Sequence, residues 1–72
     1  MSEDRVNDLG RLDAAWGAEL TLQEVSRAGG AALLRMRIRQ GRRFTDVEFA
    51  PDAAREFAGL LVEWAEQQPE GD

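Results

Sequence analysis

Few residue types in this chain can do chemistry. It carries fourteen carboxylates, nine arginines and the hydroxyls of Ser2, Ser26, Thr21 and Thr45, with no His, Cys, Lys or Tyr. The usual general bases, nucleophiles and Schiff-base formers are therefore missing, and no hydroxyl stands beside an activating group in the sequence. Asp46 and Glu48 would share one face of a strand. Two carboxylates without further oxygen ligands make a weak site for a hard cation, and a solvated, partly ion-paired strand face is the simpler reading. Gly29-Gly30 lacks the spacing and the following helix that would aim N–H groups at a phosphate, so it reads as a turn. The expectation is a protein that is not an enzyme and uses no cofactor or metal.

The functional groups concentrate in "LRMRIRQGRRF", residues 34–44, which places five arginines in eleven residues of a chain with net charge -5. Two Arg stand against six acids in residues 1–26, six Arg against none in 27–43, and one Arg against eight acids in 44–72. Arg35, Arg37 and Arg39 alternate with Met36 and Ile38, so on a strand all three project from one face. Arg42 and Arg43 carry the charge to a hairpin tip, and Phe44 stands on the same face as a stacking platform. Such a surface offers planar donor forks to phosphates and a ring to bases, as a single-stranded nucleic-acid binder requires.

A plainer reading uses the same residues. If Gly41-Arg42 is a two-residue turn with glycine first, Arg35 faces Glu48, Arg37 faces Asp46 and Arg39 faces Phe44 on the next strand. In the simplest register of the preceding hairpin Glu24 also lies opposite Arg35. Flanking carboxylates then match the central strand, and the acidic field of the whole chain opposes attraction of DNA or RNA. Arg39, Arg42 and Arg43 have no acidic neighbour in that register. An anion would bind there, at the tip.

The elements that position these groups follow from periodicity. Residues 52–68 place Phe57, Leu61, Val62, Trp64 and Ala65, with Leu60 and further alanines, on an apolar arc of about 200° when projected at about 100° per residue. Pro51 suits the first helical turn, Asp52 and Glu56 complement the helix dipole, and Pro69 and Gly71 end the run. The arc is too wide for one sheet. The remainder wants a second surface, most simply the same helix of another subunit, and Phe57, Leu61, Val62, Trp64 and Ala65 are its candidate contacts. Upstream, residues 19–28, 31–40 and 43–50 read as strands joined by Gly29-Gly30 and Gly41-Arg42. Leu34, Met36 and Ile38 form an inner face with Thr45, Val47 and Phe49. Leu20 and Leu22 differ in parity from Val25, which a β-bulge near Gln23 or Glu24 would reconcile. Residues 3–15 carry Val6, Leu9 and Leu12, continued by Trp16, near helical spacing with Ser2 as a cap, giving a short helix, or an irregular segment because of Gly10.

The whole is one α+β domain: a segment at 1–15, a three-stranded antiparallel meander at 18–50 and a C-terminal helix at 51–68. At 72 residues its core is small, and without cysteine or histidine neither a disulfide nor a thiolate or imidazole metal site can supplement it. A homodimer is the expected remedy, with a protein partner as the other. The opening residues hold no apolar stretch like that of a secretory leader, and no run approaches the roughly 18 apolar residues of a membrane span, so a cytoplasmic location is expected.

The order of Trp16, "AELTLQEV", a strand holding "RIR", a turn, and "FTDVEFAPDAAREFAGLL" running into a helix resembles the transcriptional positive-cofactor family of single-stranded-DNA-binding coactivators. That resemblance covers residues 16–64. It implies a homodimer built on the C-terminal helices, with basic sheet faces that bind single strands, Arg37 and Arg39 standing where the family has its strand arginine. The chain departs from the family where a lysine-glycine pair is replaced by Arg43-Phe44, where Asp46 and Glu48 follow, and in showing no evident fourth strand.

Overall fold

The computed structural model describes residues 5–27 and 29–69. The chain runs through β1 (Arg5–Asp13), a tight turn at Ala15–Gly17, β2 (Glu19–Ser26), β3 (Leu33–Gln40), β4 (Arg43–Phe49) and α1 (Pro51–Glu66). The strands form one antiparallel sheet in the order β1-β2-β3-β4. The α+β class with an antiparallel sheet and one C-terminal helix is as expected. The strand number is corrected from three to four, because the segment expected to be helical or irregular is β1. The expected Ser2 cap, the expected Ala28 end of the strand observed as β2 and the expected Gly71 stop lie outside the described residues.

A bulge explains the correction. Asp8 faces Gln23 and Gly10 faces Leu22, which leaves Leu9 as the extra residue of β1. Leu9 lines a recess with Glu24 and Leu34, while Leu12 faces Leu20, so both leucines lie on the side of the sheet that carries Leu22, Met36 and Ile38. An inserted residue turns the two-residue period of a strand into a three-residue spacing that imitates a helix. The bulge expected near Gln23 or Glu24 therefore sits on the facing strand.

The β2–β3 register also differs by one residue from the one that a tight Gly29-Gly30 turn would impose. Leu20 faces Ile38, Leu22 faces Met36, and Gln23, not Glu24, faces Arg35. A slip of one would set Leu20 and Leu22 against Arg39 and Arg37, so matching apolar faces outweighs the shortest loop. Val25 belongs to the arginine side, in the cross-strand row Val6–Val25–Leu33, and is 2 % exposed. Not every apolar residue faces the helix side. The β3–β4 ladder has the expected pairs throughout, from Leu34 opposite Phe49 to Gln40 opposite Arg43. Gly41 has φ +60 and Arg42 a negative φ, the signature of a type II′ turn, whose twist suits a hairpin.

Extended Ala50 enters α1 with Pro51 in its first turn and Asp52 behind it, held by Arg55 at 2.8 Å. The helix meets the sheet chiefly at β3 and β4, and its firmest contact is Phe57 stacked on Phe49 with ring centroids 5.4 Å apart. Trp64 lies two turns further along nearly the same line of the helix. It is 64 % exposed against 37 % for Phe57, so the helix has left its own sheet by then. The molecule measures 51 × 30 × 15 Å. Its long dimension is close to a nine-residue strand of about 30 Å followed by a sixteen-residue helix of about 24 Å.

Little is buried. Among the described residues only Ala18 and Val25 form a core, and the chain exposes 6018 Å². A folded monomer of 8.0 kDa is expected to expose about 4,500 Å², which leaves a surplus of about 1,500 Å².

Candidate functional site

The arginine side of the sheet is a lattice of ion pairs running across the strands. Arg37 donates from Nε and Nη2 to the two carboxylate oxygens of Asp46 at 2.8 and 3.0 Å, the bidentate fork that arginine geometry favours. Glu48 accepts from Arg35 at 3.3 Å and from Arg27 at 3.4 Å. Glu19 pairs with Arg39 at 3.3 Å and also with Arg11. Gln23 donates to Asp8 at 2.9 Å, and the Arg37 guanidinium lies 5.6 Å from the centroid of the Phe44 ring. Gln23 Oε1 and Arg35 Nε, on directly facing residues, have no partner.

These contacts set the charge states. The hydrogen bond from Arg37 holds the Asp46 carboxyl below its ordinary range and pushes the Arg37 guanidinium up. Glu48 is lowered first by its bond from Arg27 and then by that from Arg35. Ionised carboxylates therefore hold one side of the Arg37 fork and one Nη of Arg35, and a phosphate would have to compete for those donors.

The expected pairings of Arg35 with Glu48 and Arg37 with Asp46 are present, and Phe44 lies on the same side. Two expectations are corrected. Glu24 is not beside Arg35, and Arg39 does have an acidic neighbour, since the observed register brings Glu19 opposite it. Arg42 and Arg43 have no carboxylate within ion-pair distance among the described residues.

The row Asp13–Glu19–Arg39–Phe44 crosses all four strands at one end of the sheet. Just beyond it stand the two turns Ala15–Gly17 and Gly41-Arg42. Trp16 occupies the first, with φ 64 and ψ 28, and is 96 % exposed. A bulky residue in the left-handed region is uncommon and strained. Reading the sequence missed this residue as a site candidate. The adjoining Gly17, itself at φ 77, was the available sign of a left-handed turn.

On the opposite side of the sheet lies the apolar surface. A recess of about 220 Å³ is bounded by Leu9, Glu24, Ala32, Leu33, Leu34 and Pro51. Of the helix residues expected to associate, Phe57 rests on Phe49, Leu61 and Trp64 share its side and are exposed, Ala65 flanks them, and Val62 points about 140° away from Phe57.

Residues 3–67 match a family described as a family of unknown function, DUF6967. The chain belongs to the DUF6967 family. All four strands, both turns of the arginine end and α1 fall inside the span this DUF6967 chain shares with its family. No curated protein and no solved structure matches it.

Proposed function

We propose that this DUF6967 chain is a small non-enzymatic interaction module that self-associates through α1. The observation that carries the reading is the apolar stripe of α1, which begins on Phe49 at Phe57 and continues to an exposed Trp64 with no sheet beneath it. Full burial of a large apolar side chain is worth about 1.5–3 kcal/mol, so an isolated protomer forgoes much of the stability its sequence encodes. Light scattering should give twice the 8.0 kDa protomer mass, and Leu61→Glu with Trp64→Glu should return the mass to one protomer. A single-protomer mass for the wild type at high concentration would sink the reading. We also propose a cytoplasmic location; among the described residues no helix is long and apolar enough to cross a membrane.

A second reading, single-stranded nucleic-acid binding, is favoured by one observation and narrowed by another. Trp16, Phe44, Arg42 and Arg43 gather exposed rings and guanidiniums that form no ion pair among the described residues at one end of the sheet, the combination that stacks bases and holds phosphates. The carboxylates on Arg35, Arg37 and Arg39 compete for the same donors. The fourth strand removes one difference from the positive-cofactor family. This reading expects Arg42→Glu with Arg43→Glu to abolish retention of a labelled oligonucleotide at low salt; wild-type protein that retains none would end it.

A further inference from the structure

Resting on the self-association reading, we propose where the second copy sits: the free end of α1 lies across the partner's β1–β2 half-sheet, and the partner's helix lies reciprocally on the first copy. Each protomer leaves two apolar surfaces open. One is the end of α1, at Leu60, Leu61 and Trp64; the other is the helix-side face of β1 and β2, where Leu12 is 61 % exposed because α1 meets β3 and β4 instead. A helix-to-helix contact would cover the first surface and leave the second in water. An exchange covers both with a single two-fold axis, as an isologous interface requires.

Area and charge point the same way. The surplus surface of about 1,500 Å² exceeds the roughly 800 Å² per partner of a standard interface, which fits two patches per protomer better than one. Helix α1 carries Asp52, Glu56, Glu63 and Glu66 against Arg55 alone, so two such helices side by side would bring like charges together. The partner's β1–β2 face presents Leu9, Leu12, Leu20 and Leu22 instead, with Arg5 and Glu24 as charged groups of opposite sign. Length also suits, since four strands span about 14 Å from first to last axis, less than the about 24 Å of the helix.

The chain has no cysteine, so single-cysteine variants report contacts without background. Leu12→Cys and Leu60→Cys alter exposed positions and are mixed, allowed to exchange subunits and oxidised; Leu9→Cys with Leu61→Cys is a second pair should either variant misfold. The expected result is a cross-linked heterodimer as the dominant product, with either variant alone linking poorly. Dominant self-linking of Leu60→Cys, or of Leu12→Cys, at a dimeric mass would overturn the exchange while leaving self-association standing. A single-protomer mass by light scattering with no cross-link overturns both. On the unaltered chain, dilution to protomers should deprotect the backbone amides of β1 and of the end of α1 together; loss of helix protection alone would also overturn the exchange.

Discussion

Asp46 and Glu48 show how a few residues set the response to pH. Both carboxyls are lowered in the folded chain by arginine donors, so the stability they add is present above their unfolded values, near pH 4, and is lost as pH falls through the folded values. Asp46→Asn should therefore lower the melting temperature most at neutral pH and least at the acid end, which flattens the acid limb of the profile. A profile as steep as the wild type's would assign acid sensitivity to other groups. Trp16 offers a converse case. Its ring contributes almost no burial and its backbone is left-handed, so Trp16→Gly should raise stability by about 0.5–1 kcal/mol in urea titrations, the relief of strain exceeding the entropy cost of glycine. If Trp16 serves a ligand, the same variant should be more stable and fail to bind it. That split distinguishes a residue kept for recognition from one kept for folding.

At the scale of elements, the type II′ turn gives the cleanest test. A Cβ on Gly41 would meet nothing within 4 Å, so Gly41→Ala isolates the cost of its positive φ, about 1–2 kcal/mol, readable as a lower urea midpoint at unchanged slope. This turn was legible from sequence, and with it the whole β3–β4 ladder, because clean alternation and a glycine-led pair agree with each other. The start of α1 was equally legible from Pro51 and Asp52. β1 was not, because one inserted residue at Leu9 replaced the strand period with a helical one. The β2–β3 register was hidden for a related reason: the shortest loop favours one pairing, whereas Leu20 and Leu22 select another by facing Ile38 and Met36. Glu19 became visible as the partner of Arg39 only once that register was known. The strained backbone of Trp16 left no sequence trace beyond the neighbouring glycine. The bulge has a further role at the outer edge of β1, where it interrupts the regular hydrogen-bonding row that would otherwise invite edge-to-edge pairing.

For the whole molecule, the large exposed apolar area raises the question of how stability varies with concentration. If protomers associate when folded, mass action predicts a melting temperature that rises with protein concentration, and scans across a hundredfold dilution should show it. An invariant melting temperature would mean that the protomer is stable as drawn. Trp64→Ala should weaken this dependence, whereas Arg42→Ala, at the other end of the sheet, should leave it unchanged. The two ends of the protein can thus be tested separately, one for assembly and the other for anions.

The meander has one more consequence, in time. Every strand pairs with its neighbour in sequence, so no distant loop closure delays the sheet, and topologies of this kind fold quickly for their size. If protomers associate as proposed, burial of the leucine face waits for a collision. Refolding followed by tryptophan fluorescence should then show a fast phase independent of concentration and a slower one that accelerates with it. Between the two, the chain would pass through an interval with its apolar surface open to wrong encounters, in which chaperones would find it.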